Sequence, residues 1–312
     1  MLAYVGRRLS LSVPTLLIIT LITFAMVRLL PGDPAAARLG DAWTASSAAE
    51  INSQLGLDRP WFVQYGDWMV HALQGDFGKS TTGGEAITPV LMKRMKVTVV
   101  VGAYALLFAI FLGTPIGVIS ATRQYSLADY VLRTVAILGL SVPGFFFATL
   151  LLAYRPFGWV PPLGRYVDPW QNPLGNFELV VFPSIFLGLS IAATIMRFTR
   201  TMMLEVLRQD YIRTARAKGL TEYSVIMRHA LRNAMIPVVT VLGVAVTGVF
   251  GGSVIYESIF AIPGVGSYLL QSATVRDYPA LQAITFVLAL IVLLVNLGVD
   301  ISYAVIDPRF KY

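Results

Sequence analysis

Six stretches of the chain are apolar for long enough to cross a bilayer: residues 9–30, 97–121, 131–154, 179–196, 236–256 and 280–306. A helix needs about 20 mostly apolar residues to traverse the ~30 Å hydrocarbon core, and it satisfies every backbone polar group on the way. The pattern predicts an all-α, polytopic membrane protein with six transmembrane helices, arranged as a single domain over residues 1–312. The fourth stretch is the shortest. The first follows Arg7 and Arg8 and precedes Ala35-Ala36-Ala37, the outline of a cleaved leader. Its apolar run exceeds the roughly 7–15 residues of a signal core and further spans follow, so it is expected to be retained.

Between these stretches the pattern changes. In the segment 31–92, between the first two spans, Ser47-Ala48-Ala49-Glu50 fits a capping box, and Asp58-Arg59-Pro60 reads as a helix start with proline in the first turn. Trp61, Tyr65 and Trp68 then recur at i, i+4 and i+7, one aromatic face for either the membrane interface or a cap on the bundle. Residues 155–178 hold Pro156, Pro161, Pro162, Pro169 and Pro173, which predicts an irregular loop without a long helix. In the loop 197–235, Tyr211-Ile212-Arg213-Thr214-Ala215-Arg216-Ala217-Lys218-Gly219-Leu220 has good helix formers ending at a glycine, and a second helix start follows at Thr221-Glu222-Tyr223-Ser224. Ala215 and Gly219, four apart, would allow close approach by another surface, while Arg213, Arg216 and Lys218 supply charge. Composition alone also fits an ordinary solvated basic loop.

Composition agrees with a membrane location: 56% of residues are hydrophobic and 13% charged, with a mean hydropathy of +0.69. Cysteine is absent, which removes thiol chemistry and disulfides. The net charge of +7 is divided unequally. The segments 1–8, 122–134, 197–235 and 307–312 carry 14 Lys and Arg against five acids, and the opposite side carries 10 against 11. The positive-inside rule places both termini and the 197–235 loop in the cytoplasm. Lys93, Arg94 and Lys96 depart from the rule and are read as the interfacial start of the second span, with snorkelling side chains. No basic stretch is interleaved with stacking aromatics, so nucleic acid is not an expected partner.

Little in the chain points to chemistry of its own. Gly78-Lys79-Ser80 ends like a phosphate-binding loop, but the glycine that pattern needs five residues earlier is Leu73. His71 and His229, the only histidines, fall on opposite sides of the membrane. Gly264-Val265-Gly266-Ser267-Tyr268-Leu269 fails the dinucleotide fingerprint at its last position. Asp300, one turn from Asn296 in the sixth span, is a candidate proton or sodium site and would support an ion-coupled secondary transporter; pairing with a loop arginine near the interface is the structural alternative. An intramembrane enzyme is disfavoured, since no paired acids or Ser/His/Lys constellation lies in the spans. The fifth span carries Gly243, Gly248, Gly251, Gly252 and Ser253, a small-residue face suited to close packing; Gly248, Gly251, Gly252 and Ser253 are candidates for a gate or pathway.

Together these segments resemble the permease subunits of ATP-binding-cassette importers for dipeptides, oligopeptides, nickel chelates and glutathione. The resemblance covers essentially the whole chain. It rests on Leu29-Leu30-Pro31-Gly32-Asp33-Pro34, Leu55-Gly56-Leu57-Asp58-Arg59-Pro60 and Gly75-Asp76-Phe77-Gly78, and on Tyr211–Gly219. It continues through His229-Ala230-Leu231-Arg232-Asn233-Ala234, Ile236-Pro237, Phe260-Ala261-Ile262-Pro263-Gly264-Val265-Gly266, Arg276-Asp277-Tyr278-Pro279 and Asp307-Pro308-Arg309-Phe310. The wider superfamily has Glu-Ala-Ala followed by a glycine in the inner loop. Here Gly219 aligns that motif with Arg213-Thr214-Ala215, so arginine replaces the acid, and Pro237 sits further along than usual.

The resemblance implies a type I importer permease fold and a coupling helix at about 210–224 that docks on a separate ATPase, with Asp210, Tyr211, Arg213, Thr214, Ala215, Arg216, Ala217, Lys218, Gly219 and Leu220 as its contact residues. It implies no cofactor in this chain, with ATP and Mg held by partner subunits. The implied partners are a homologous second permease, two ATPase subunits and an extracytoplasmic substrate-binding protein. The implied location is the bacterial inner membrane, with import of di- or oligopeptides.

Overall fold

The computed structural model describes residues 2–29, 44–46, 53, 58–155 and 166–306. The helices are α1 (Leu2–Leu29), α2 (Trp61–Leu73), α3 (Ile87–Thr122), α4 (Leu127–Ser141), α5 (Gly144–Tyr154), α6 (Pro173–Leu207) and α7 (Asp210–Ala217). A helical turn (Glu222–Ser224) and a π-helical segment (Val225–Leu231) then lead into α8 (Arg232–Ile259), followed by α9 (Val265–Thr274) and α10 (Tyr278–Ile306). Among the described residues the only β pairing is an isolated bridge between Lys79 and Ala86.

The all-α expectation holds. Four helical runs are long and apolar enough to span: α3, α6, the run Glu222–Ile259, and α10 over Tyr278–Val299. The expected third span is a bent pair, α4 and α5, turned by 84°. Its cause is local: Val142 precedes Pro143 and is held in the extended region at φ −101°, ψ 121°, which ends α4. Gly144 opens α5 where a Cβ would meet the Phe186 carbonyl oxygen at 2.6 Å, so the break is tied to a close approach. The apolar stretch described in α1, Ser10–Ala25, is shorter than a full span, although α1 itself has 28 residues. The fourth stretch, shortest by sequence, lies in a 35-residue helix, because α6 begins already at Pro173 on an Asn172 cap. The expectation of an irregular loop as far as residue 178 is corrected accordingly: Asn172 Oδ1 accepts from Gly175 N at 3.0 Å, and Pro173 stands where the helix needs no donor. The capping box at 47–50 and Pro156, Pro161 and Pro162 lie outside the described residues.

The chain falls into two compact units, Met1–Thr98 with Pro263–Leu294, and Val99–Ile262 with Val295–Tyr312. In the first, Ile87, Leu91, Val265, Tyr268, Ala280, Ala283 and Ile284 form the core. The aromatic face of α2 packs inward: Tyr65 meets Phe24 edge-on at 5.4 Å, and Trp68 meets Phe286 edge-on at 5.6 Å. Trp61 stays exposed, and Pro60 is the N-cap of α2, one position before the first turn. Arg94 does not extend freely to the interface as expected. Its guanidinium lies 4.7 Å over the Tyr268 ring and its Nη1 donates to Ser267 Oγ at 3.5 Å, so α9 holds this charge. Gly78-Lys79-Ser80 belongs to a short hairpin in which Ser80 Oγ donates to the carboxylate of Asp277, a neighbour that would repel phosphate.

In the second unit α6 is the hub, with 56% of its most apolar window buried against 22–39% for the other long helices. Ala105, Ala109, Gly113, Gly117 and Ala121 recur every four residues on α3 and are all buried, a small-residue ladder that lets α6 approach. A Cβ on Gly117 would stand 2.7 Å from Thr199 Cβ and 2.8 Å from the Met196 carbonyl oxygen. Without a hydrophobic driving force between helices in lipid, such close van der Waals fit supplies the association.

Candidate functional site

The loop 197–235 folds as a helix, a sharp turn and a second helix, as the sequence predicts. Ile212 and Ala215, three apart on α7, are buried among Ala121, Met203, Val225, Ala230 and Ala234. Ala215 therefore seats α7 on its own chain and does not offer the close approach to another surface expected of it. Asp210, Tyr211, Arg213, Thr214, Arg216, Ala217, Lys218, Gly219 and Leu220 are exposed. Gly219 closes the helix at φ +78°, the left-handed region that side-chain-bearing residues disfavour. Its N–H donates to the Arg216 carbonyl at 2.9 Å, and Leu220 N reaches the Ala215 carbonyl at 3.4 Å. A Cβ there would meet nothing within 4 Å, so the glycine is required by its backbone angle, not by crowding within the chain.

Two contacts fix the turn. Arg216 Nη2 and Nε donate to Glu222 Oε1 and Oε2 at 2.7 and 3.1 Å, bidentately across Gly219. The carboxylate holds the Arg216 guanidinium above its ordinary range. Asn233 Nδ2 donates to Tyr211 Oη at 3.0 Å and ties α7 to the start of α8. The Arg213–Asp210 pair, 3.5 Å apart with both side chains largely exposed, adds little. Leu220 and Tyr223, 41% and 76% exposed, add two apolar side chains to the exposed basic residues of α7 and its turn. Tyr223 was not among the expected contact residues, since composition does not tell which aromatic of an amphipathic turn faces water.

The π-helical segment that follows is unforeseen. Periodicity near 3.6 residues does not distinguish a π turn from an α turn over seven positions, and such turns are frequent at functional places.

The four small residues proposed for a gate divide. Ser253 is fully buried and its Oγ donates to the Phe250 carbonyl at 3.2 Å; a Cβ on Gly252 would stand 3.1 Å from Leu187 Cδ1. Gly248 and Gly251 face open space, on an exposed stripe with Val244 and Ile255. Asp300 lies in α10, but its side chain is outside the described residues. Glu257 is a fully buried carboxylate within a long helix, beyond the 236–256 stretch expected to span; α8 continues through it because no helix breaker occurs before Pro263. Among the described residues no group of three or more Asp, Glu or His could hold a metal ion.

Residues 113–312 match the family described as binding-protein-dependent transport system inner membrane component, and residues 1–102 match its N-terminal companion. The dipeptide transport system permease protein DppB of Alkalihalophilus pseudofirmus is 38% identical over 100% of both chains. The glutathione transport system permease protein GsiC of Salmonella choleraesuis is 40% identical, and the oligopeptide transport system permease protein AppB of Bacillus subtilis 37%, again over 100% of each chain. In structure, a chain of the MetNI methionine ABC transporter in its inward-facing conformations aligns with a TM-score of 0.54 and 17% identity, over 70% of this chain and 96% of that one. The fold is that of a type I importer permease, and these relatives do not favour the ion-coupled alternative. The chain belongs to the family of inner membrane components of binding-protein-dependent transport systems.

Proposed function

We propose that this chain forms half of the translocation pathway of an ATP-driven importer for di- or oligopeptides, glutathione-like peptides included. The observation that carries the reading is the exposed platform of α7 and its turn. Its backbone is fixed by Gly219 and the Arg216–Glu222 bridge, while Lys218, Leu220 and Tyr223 stand exposed beyond those contacts. A surface pre-organised in this way loses little freedom on docking. Asp210, Tyr211, Arg213, Thr214, Arg216, Ala217, Lys218, Gly219 and Leu220 contact the ATPase subunit; Ala215 supports them from behind, and Tyr223 extends the contact. Lys218 and Arg213 suit an acidic groove rim.

The complete assembly contains a second, homologous permease, two ATPase subunits that hold ATP and Mg, and an extracytoplasmic binding protein that delivers the peptide. This chain catalyses no hydrolysis. The concentration of Lys and Arg in residues 122–134 and 197–235 supports an orientation with both termini and α7 in the cytoplasm. Gly248 and Gly251 present the open face of α8 to the pathway or the second permease, where small side chains allow helices to shift against each other. ATP and substrate must favour different balances of the inward- and outward-facing states, because a ligand bound equally by both shifts neither.

The test is purification of the tagged chain in mild detergent with the products of adjacent genes, followed by ATPase assays with and without loaded binding protein. ATPase subunits that co-purify and turn over faster with peptide-loaded binding protein support the reading. A stable, transport-competent complex lacking any ATPase overturns it.

A further inference from the structure

Beside the Asp129–Arg200 pair, a groove of about 420 Å3 opens between α4 and α6, lined by Arg133, Ile137, Met196, Arg197, Phe198 and Arg200. Its charge is unbalanced. Arg200 is neutralised by Asp129, but no ion pair engages Arg133 or Arg197 among the described residues, and no acid lines the groove. An adjoining groove of about 470 Å3 shares Arg200 yet contains both Glu205 and Arg208, so it balances itself. The excess of two positive charges belongs to the first groove alone.

The groove also has a defined depth in the bilayer. Arg197 follows directly on the apolar run 179–196, which at 1.5 Å per residue covers about 27 Å, close to the hydrocarbon thickness. Arg197 therefore stands at headgroup level, on the side that carries the basic loops. From the groove an apolar surface continues along α4, where Val135, Ile137 and Leu138 are each more than half exposed. Such a surface suits acyl chains.

The geometry points to a binding site for an anionic phospholipid, its phosphate held between the guanidinium groups of Arg133 and Arg197 and an acyl chain lying along Ile137, Leu138 and Phe198. Guanidinium groups bind phosphate oxygens in pairs, and basic pockets between transmembrane helices favour anionic headgroups. The bound lipid would brace α4, the longer half of a broken span, against α6. This inference goes beyond the transport reading and does not depend on the cargo.

The test uses the full importer complex in nanodiscs of phosphatidylcholine with increasing phosphatidylglycerol, with retained lipid read by native mass spectrometry. The wild-type complex is expected to retain phosphatidylglycerol over phosphatidylcholine. Arg133→Gln with Arg197→Gln is expected to lower that preference by roughly twenty-five-fold, about five-fold for each arginine. Arg133→Lys with Arg197→Lys should fall between the two, and inorganic phosphate, which lacks an acyl chain, should not displace the lipid. Equal retention of both lipids by the wild type, an undiminished preference in the glutamine variant, or displacement by inorganic phosphate would overturn the assignment. Loss of the ATPase subunits from the glutamine variant would also overturn it, making the groove a protein interface. Should the double variant not assemble for want of membrane insertion, each single glutamine variant, at an exposed side chain, gives the same readout.

Discussion

Arg200 meets Asp129 through both Nε and Nη2, at 2.9 Å to each carboxylate oxygen, and the acid is fully buried. The same carboxylate accepts from Ser120 Oγ and from Tyr125 N, where the backbone has turned to φ 63°. One acid thus ties the end of α3, the αL turn after it, the first turn of α4 and the side of α6. Such a pair is costly to desolvate, so intact it is weak evidence of net stability; breaking it strands a charge.

Asp129→Ala is accordingly expected to destabilise the folded chain by about 3–5 kcal/mol. Asp129→Leu combined with Arg200→Met should recover much of that loss, since no charge is then left unpaired. Thermal unfolding of the detergent-solubilised chain measures both, and strictly additive effects would contradict the coupling.

Gly219 is expected to tolerate asparagine better than valine. Asparagine visits the left-handed region at modest cost, whereas a β-branched residue there costs upwards of about 1–2 kcal/mol and would unwind the turn that holds Leu220 and Tyr223. Gly219→Val should leave the protein in the membrane while peptide-stimulated ATPase activity falls. Unchanged stimulation in the assembled variant would count against the docking role.

Gly117 of α3 and Gly248 of α8 should behave oppositely. Gly117→Ala places a methyl group against Thr199 and the Met196 carbonyl and is expected to cost about 1–3 kcal/mol of stability by overpacking. Gly248→Ala meets open space and should leave stability unchanged or raise it by up to ~1 kcal/mol through helix propensity. If α8 lines the pathway, the Gly248 variant loses transport while keeping its melting temperature; full transport would remove it from the gate.

Asp277 accepts from Ser80 Oγ, Thr81 N and Thr81 Oγ1, and it precedes the first turn of α10. Asp277→Ala should free the hairpin around residues 79–86 and cost about 1.5–3 kcal/mol. Faster proteolytic nicking in that hairpin, with α10 intact, is the expected signature; equal nicking rates would show the clamp to be dispensable.

The helix class, most of the long apolar runs and the position of the 197–235 loop were legible from residues alone, because such runs and a glycine after helix formers act locally. The break at Val142-Pro143 was legible in principle, since proline constrains its predecessor, but hydropathy averaged over a window conceals a bend. The ladder Ala105, Ala109, Gly113, Gly117 and Ala121 was visible as a spacing of four, yet its meaning needed α6 opposite it. Ala215 shows the same limit from the other direction. A small residue beside basic ones suits an external contact, and only the fold reveals that it faces Ile212's own core.

The sequence by itself determined that this protein lives in a bilayer, where its long apolar runs fall and, through the ordered motifs, its family, because desolvation and backbone hydrogen bonding act on each segment separately. The tertiary structure alone decided which charges are spent and which remain. Asp129 lies 71 positions from Arg200, and their pairing leaves Arg133 and Arg197 as the unbalanced charges of one groove. A bidentate hydrogen-bonded ion pair needs N–O separations near 2.9 Å, and only folding brings residues so distant in the chain to that range.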